Sequence, residues 1–349
     1  MRVRVVNSER DFEVARDQPL LDAALAASWN LPHSCKGGNC GLCKARLLRG
    51  ETHYPRGRPL GLSAAEIDSG LILLCQAIAR SDIELDLQEL RAAHEHGVLR
   101  LPCRIERATR AARDVMIVQL RPPPAVDFVF RAGQYLDVLL SNDRRRSFSI
   151  ASPPHSARLL ELHVRRVTGG EWTEWLFAEG GVEGALLSIE GPLGRFHYRE
   201  TPHAARPLLL IGGGTGLAPL LCILRHLIDQ DIRRELTLYW GVRSSADLYA
   251  QSVVLELASR RSNMRYVPVL SEPDAAWRGR SGCVHAAVLE DIEDLSVFDI
   301  YAAGPPAMIE ALRGEFPAQR AALDRLYCDS FDYAPDSLAR QRSSAATKS

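Results

Sequence analysis

The sequence has no excess of charge of either sign. Across 349 residues, 43 Lys and Arg balance 43 Asp and Glu. Nothing in that balance calls for a nucleic-acid or other polyanionic partner. A secretory leader pattern is also missing, because MRVRVVNSERDFEVARD alternates charged and apolar residues where a signal peptide carries a continuous apolar stretch. The longest apolar run, PLLLIGGGTGLAPLLCIL, is broken by three consecutive glycines and then a fourth, so strand, loop and helix fit it better than a membrane span. The expectation is a soluble cytoplasmic protein with no membrane insertion. Without a secretory context, the eight cysteines are not expected to form structural disulfides. There is no internal repeat, and no Ser-His-Asp or paired-carboxylate motif stands out.

What is present begins with CKGGNCGLC at residues 35–43. Cys35, Cys40 and Cys43 have C-x4-C-x2-C spacing, and Cys75 follows in LILLCQA. That is the plant-type [2Fe-2S] spacing. Two thiolates bind each iron, and Gly37, Gly38 and Gly41 let the chain turn around a compact anionic cluster with its N–H groups near the sulfurs. A zinc site or a thioredoxin-like dithiol at Cys40 and Cys43 remain as alternatives. Zinc sites, however, pair short-spaced ligands twice, and here Cys75 has no close companion. A dithiol would leave Cys35 idle.

The hydrophobic rhythm changes twice along the chain. Residues 1–93 hold short alternating segments, with an expected hairpin of MRVRVVNS and DFEVARD, a helix in PLLDAALAASW after Pro19, and strands in ARLLRGE and DIELDL. Residues 94–97 read as a linker. From residue 98 to 203, LPCRIERATR, VMIVQLRP, GQYLDVLL, RSFSIAS, LLELHVRRV and ALLSIEGP are strand-length segments between Pro, Gly, Asn or Asp, which suggests a barrel, with one helix in EWTEWLFAE. Residues 204–336 alternate strand and helix, the pattern of a parallel sheet. The polar tail, 337–349, is expected to be disordered.

Several motifs resemble one family. LPHSCKGGNCGLCKARLLRGE and LLCQA are similar to the ferredoxin module of bacterial flavin–iron–sulfur reductases. RSFS resembles the Arg-x-Tyr-Ser signature of the ferredoxin-NADP reductase superfamily. By that resemblance Arg146 neutralises the FAD pyrophosphate, Phe148 lies against the flavin and Ser149 hydrogen-bonds near N5. Phe148 departs from the family Tyr, keeping a stacking face and losing a hydroxyl. Arg165, Gly169, Gly170 and Thr173, in HVRRVTGGEWT, match the family segment that binds the flavin diphosphate at a helix start. Tyr135, in GQY, matches a strand beside the flavin, and GPLGRF occurs at the domain junction.

IGGGTGLAPL fails the G-x-G-x-x-G pattern, since the sixth position from Gly212 is Leu217. It resembles instead the family's GGTGxAP loop. The resemblance gives Gly213, Gly214, Thr215, Gly216, Ala218 and Pro219 to the NAD(P)H pyrophosphate. YAAGPPAM resembles a Cys-Gly-Pro-Pro-x-Met segment, placing Gly304, Pro305, Pro306 and Met308 in the nucleotide site, with Ala303 where the family has a Cys beside the nicotinamide. Phe331 is the candidate aromatic packed on the flavin. Arg243 suits a ribose 2′-phosphate or the adenine, and NADH is favoured over NADPH. The resemblance implies an α+β β-grasp ferredoxin domain, an antiparallel β-barrel FAD domain and an α/β parallel-sheet nucleotide domain. It further implies transfer of electrons from NAD(P)H through FAD and the cluster to a protein. The expected acceptor is a terminal oxygenase or hydroxylase component or another one-electron acceptor. The alternatives are an electron donor like the CDP-6-deoxy-glucoseen reductases of deoxysugar synthesis, or a flavin oxidoreductase with a zinc-binding interaction module.

Overall fold

The computed structural model describes all residues except 7–10, 28, 30, 32–37, 39–40, 42, 56, 60, 63, 88–97, 142–143, 179–181, 201–205 and 332–349. The expected linker at 94–97 and tail at 337–349 therefore lie outside the described residues. The chain forms two compact units, Met1–Gly97 and Val98–Ser349. No helix among the described residues is long and apolar enough to cross a membrane.

The first unit is built on a mixed sheet. Its strands are β1 (Arg2–Val5), β2 (Asp11–Glu13), β3 (Lys44–Arg49), β5 (Leu71–Leu73) and β7 (Ile83–Asp86), with a separate pair, β4 (Thr52–His53) and β6 (Ile78–Ala79). The order in the main sheet is β2-β1-β7-β3-β5. Strands β1 and β2 form the expected antiparallel pair, and β1 runs parallel to β7. Alternation decides the faces: Val3 and Val5 are buried while Arg2 and Arg4 are exposed. The helix Leu20–Ala26 starts after Pro19 and buries Leu20, Leu21, Ala23 and Ala24 in the same core as the sheet.

In the second unit, β8 (Leu99–Ala112), β9 (Val115–Arg121), β10 (Tyr135–Leu139), β11 (Arg145–Ser149), β12 (Leu160–Arg165) and β13 (Leu186–Leu193) make one antiparallel sheet. Its order is β11-β10-β13-β8-β9-β12. An antiparallel bridge between Ile150 and Leu162 joins the two ends, so the sheet closes into the expected barrel. Leu160, Leu162 and Val164 of β12 are fully buried in its core, which leaves Glu161, His163 and Arg165 on the opposite face.

Six parallel strands follow: β14 (Leu208–Gly213), β15 (Leu236–Val242), β16 (Met264–Leu270), β17 (Arg280–Ser281), β18 (Asp299–Gly304) and β19 (Leu326–Ser330). The order β17-β16-β15-β14-β18-β19 means that the chain works outward from β14 on one side, then returns to its other side. The topological switch point lies between β14 and β18, where open parallel sheets place their ligands. One hydrophobic core runs from the barrel into this sheet, from Leu101 and Ile105 through Leu221 to Trp240 and Tyr301.

Candidate functional site

Of the four cysteines predicted as metal ligands, Cys43 and Cys75 are described and come together; Cys35 and Cys40 lie outside the described residues. The Cys75 N–H donates to Cys43 Sγ at 3.4 Å, and both residues are buried. A donor aimed at sulfur favours its thiolate form. Gly38 and Gly41 adopt left-handed φ of 84° and 71°. A Cβ on Gly61, a position that sequence reasoning missed, would lie 2.7 Å from Gly38 O and 3.0 Å from Gly41 N. The Gly61 N–H donates to Gly38 O at 2.7 Å, so the loop is pinned from a segment with no motif of its own. Burial pushes the neighbouring Tyr54 phenol up to about 12, against the Leu73 N–H it accepts and together with the charges of Cys43 and Cys75. A cavity of about 600 Å³ opens beside Cys75, lined also by Asp17, Asp22, His53 and Gln76. Paired sulfurs, an N–H donor and a crowded glycine cradle fit a thiolate-bound cluster.

The predicted flavin residues gather along β10, β11 and the loop after β12. Tyr135 pairs with Ser149 across the sheet, and a Cβ on Gly194, where φ is 99°, would lie 2.8 Å from the Tyr135 ring. Phe148 meets Trp172 with ring centroids 4.7 Å apart, and Trp172 Nε1 is buried without a hydrogen bond. Ser149 is buried. Arg146 donates to Arg145 O at 2.9 Å. The buried Arg165 Nε is ion-paired with Asp114 Oδ2 at 3.5 Å without forming a hydrogen bond. An unsatisfied buried polar atom costs about 1–3 kcal/mol, so the Trp172 Nε1 donor suits a polar ligand. Thr173, the hydroxyl expected at the flavin diphosphate, lies in the first turn of the helix Glu171–Leu176. Its hydroxyl accepts from Val167 N–H at 3.1 Å and donates toward Val167 O and Gly170 O at 3.0 and 3.1 Å. With its single proton engaged, Thr173 shapes the Gly169–Gly170 turn.

Sequence reasoning missed the polar cluster behind that strand. Arg145 lies between Asp137 and Glu190, and Ser147 donates to Asp137 at 2.6 Å. Arg145, Ser147 and Ser149 alternate with Arg146 and Phe148, so a strict period-2 reading of RRSFS would have separated the two faces.

The nucleotide motifs converge at the switch point. Gly213 ends β14, Gly214–Gly216 form a tight turn, and the helix Leu217–Asp229 follows with Ala218 and Pro219 in its first turn. No side chain caps that helix, and its Leu217 N–H is already taken by Gly214 O and Thr215 O, so what faces an incoming phosphate is the glycine turn itself. From β18, Gly304, Pro305 and Met308 pack directly on this turn. A Cβ on Gly213 would lie 2.8 Å from Met308 Sδ and 2.8 Å from Pro305 Cδ. A Cβ on Gly214 would sit 3.4 Å from the Arg165 guanidinium, which brings the flavin and nucleotide motifs together. Pro306 opens the helix Pro306–Glu315. Ala303 is fully buried and pairs with Gly212, and the Phe331 N–H donates to Gly304 O at 2.9 Å. Beside it, Ser330 Oγ is buried without a partner, a polar atom that no motif announced. Arg243 is exposed at the end of β15; burial pushes the nearby Asp247 carboxyl up, but the Ser244 hydrogen bonds, with the charge of Arg243 after them, hold it below the usual carboxylate range. The uncapped helix start, close-packed glycines and orphaned polar atoms fit FAD and a pyridine nucleotide.

Three family descriptions match consecutive stretches: "2Fe-2S iron-sulfur cluster binding domain" at residues 3–80, "Oxidoreductase FAD-binding domain" at 102–198 and "Oxidoreductase NAD-binding domain" at 210–314. The CDP-6-deoxy-L-threo-D-glycero-4-hexulose-3-dehydrase reductase of Yersinia pseudotuberculosis is 38% identical over 89% of this chain and 92% of its own. The aromatic O-demethylase reductase subunit of an Amycolatopsis species is also 38% identical, over 90% and 94%. A crystal structure of an Amycolatopsis cytochrome P450 reductase superposes with a TM-score of 0.69 at 36% identity, covering 95% of this chain and 98% of that one. With cluster, flavin and nucleotide modules in this order, the chain belongs to the three-module NAD(P)H-driven reductases that carry FAD and a 2Fe-2S cluster.

Proposed function

We propose that this chain supplies electrons from NADH to a terminal oxygenase or hydroxylase component in the cytoplasm. The observation that carries the reading is the meeting of the GGGTG turn, the AGPP strand end and Arg165 at one switch point, next to the Phe148 strand. Bound here, FAD would supply two-electron hydride acceptance from NAD(P)H and the cluster one-electron transfer onward. The chain's own residues bind and orient. Arg146 and Arg165 would neutralise the flavin diphosphate, with the Gly169–Gly170 turn and Thr173 beside it. Tyr135, Phe148 and Phe331 flank the ring system, and Ser149 offers a hydrogen bond at its reactive edge. Gly213, Gly214, Thr215, Gly216, Ala218 and Pro219 admit the nucleotide pyrophosphate. Gly304, Pro305, Pro306 and Met308 wall the nicotinamide side, Ala303 lies under it, and Arg243 meets the adenosine end. Cys35, Cys40, Cys43 and Cys75 hold the cluster. Domain limits of 1–93, 98–203 and 204–336 belong to the same proposal, and each contains one matched family stretch.

A second acceptor has equal support from identity, since a CDP-hexulose dehydrase reductase and an O-demethylase reductase subunit are both 38% identical to this chain. The test is reconstitution. The purified protein is assayed for iron, acid-labile sulfide and FAD, then for NADH-driven delivery to an oxygenase component and to a CDP-6-deoxyhexulose dehydrase. Turnover with the oxygenase alone supports the first reading. Turnover with the dehydrase alone transfers the assignment to the second. Zinc without labile sulfide overturns both.

A further inference from the structure

The face of β12 turned away from the barrel core carries Glu161, His163 and Arg165, and all three reach the parallel-sheet layer. Glu161 Oε1 accepts from Arg225 at 2.8 Å, and the same Arg225 nitrogen donates to Ala151 O at 3.0 Å. Arg225 sits on the helix that starts directly after the Gly214–Gly216 turn. His163 Nε2 lies 3.1 Å from Glu161 Oε1, and Nδ1 lies 2.8 Å from Tyr249 Oη. The Tyr249 ring stands edge-on to Trp240, centroids 5.3 Å apart at 89°. Trp240 Nε1 donates to Gly214 O at 2.9 Å. A continuous chain of contacts thus runs from the barrel to the turn.

The carboxylate end of this chain has a defined proton direction. Glu161 is held down at about 2: burial raises it, but the hydrogen bond from His163 and the charge of Arg225 outweigh that. As an ionised acceptor it requires His163 Nε2 to be the N–H donor. The Tyr249 hydroxyl, able to donate or accept, then closes the contact at Nδ1. The His163 side chain is only 1% exposed, which leaves water little room to substitute.

We propose that Glu161, His163 and Tyr249 form a positioning relay that fixes the Gly214 turn against the flavin barrel and so sets the approach of nicotinamide to flavin, touching neither cofactor. The relay rests on the reading of the 212–217 turn as the nucleotide site. Reacting atoms held about 1 Å out of place lose about 100-fold in rate, so a structure that fixes one wall of the site acts on the hydride step.

Tyr249→Phe removes the hydroxyl and keeps the ring against Trp240. Hydrogen–deuterium exchange of the 208–217 segment in the FAD-loaded protein is expected to rise about tenfold, the value of one buried hydrogen bond, with β8 and β9 unchanged. Flavin reduction by NADH in a single turnover is expected to slow by a similar factor. His163→Leu should match it, whereas His163→Asn, which restores an acceptor and a donor, should recover part of the loss. Unchanged exchange at 208–217 in Tyr249→Phe overturns the relay. Equal losses in His163→Leu and His163→Asn do so too, because ring shape would then be responsible. If wild-type flavin is not reduced by NADH at all, the functional reading fails, while the exchange result still decides the relay.

Discussion

Gly216 offers a substitution whose outcome turns on a single contact. A Cβ there would lie 2.0 Å from Ala303 O, 2.5 Å from its carbonyl carbon and 2.9 Å from Gly304 Cα. The backbone conformation, φ −59° and ψ −10°, is one that alanine adopts freely. On propensity alone Gly216→Ala would gain up to about 1 kcal/mol. Against this stands a clash with backbone atoms of β18, which no rotamer change relieves. Carbon–oxygen contacts settle near 3.3–3.6 Å, so turn and strand must part by roughly 1.3 Å or more. Overpacking of this kind costs about 1–3 kcal/mol, and the rigid neighbour puts Gly216→Ala at the upper end. The net loss is then about 2 kcal/mol, a fall of about 4–8 °C in melting midpoint for a unit of this size. NADH-dependent flavin reduction should fall by about 100-fold. Gly314→Ala is the control. Gly314 lies in the helix Pro306–Glu315 with nothing within 4 Å of its Cβ position, and its replacement should stabilise by about 0.4–1 kcal/mol. Differential scanning fluorimetry and stopped-flow absorbance read both variants. If Gly216→Ala melts above wild type, as Gly314→Ala should, the turn does not abut β18 and the switch-point geometry is wrong.

Arg234 and Asp299 form an ion pair at 2.5 Å with side chains 0% and 5% exposed; Asp299→Ala strands the guanidinium and should cost about 3–5 kcal/mol in urea unfolding, while Arg234→Met with Asp299→Leu should restore most of it. Burial pushes the His197 imidazole down to about 4, with the charges of Arg199, Arg131 and Arg195 adding and the bond to Tyr198 O opposing. The unfolded chain takes this proton first as pH falls, so the stability held by neutral His197 is complete above about pH 6.5 and lost towards pH 4. It amounts to about 3 kcal/mol at most; His197→Gln should flatten the melting midpoint over that window, and an unchanged slope would remove His197 as its cause. Ala303→Cys should leave NADH affinity near wild type and alter the flavin-reduction rate, and equal stopped-flow rates would show that this position does not tune the step.

The strands were legible where burial is one-sided. LPCRIERATR buries Leu101, Cys103 and Ile105 and exposes Pro102, Arg104 and Glu106, which is the period-2 signal itself. Elements that owe their form to a neighbour were not legible. LYCDS becomes a strand because it pairs with β18 from Ile300↔Leu326 to Gly304↔Ser330, and LIL at 71–73 is three residues long, too short to show a period. The helix Val284–Asp291 buries only Val284, Ala287 and Val288, a thin stripe. Contacts between distant positions were hidden for the same reason. Nothing near Glu161 points to Arg225, and nothing near Gly214 points to Trp240.

The glycine motif shows how a legible pattern can have a double cause. GGGTG announces a place where backbone must approach a phosphate, and the uncapped helix after it suits that role. Yet three of its four glycines also answer to the protein's own backbone and packing. Gly213 has Met308 and Pro305 where a side chain would be, Gly214 takes a left-handed φ of 56°, and Gly216 has the carbonyl of Ala303. The motif at β14 and the AGPPAM segment at β18 are therefore two halves of one steric arrangement, separated by about ninety residues of chain and joined only because β18 returns beside β14. Substitutions that spare ligand contacts but fill these gaps should disable the proposed nucleotide site as thoroughly as those that remove a contact, since its shape is held by the same close packing.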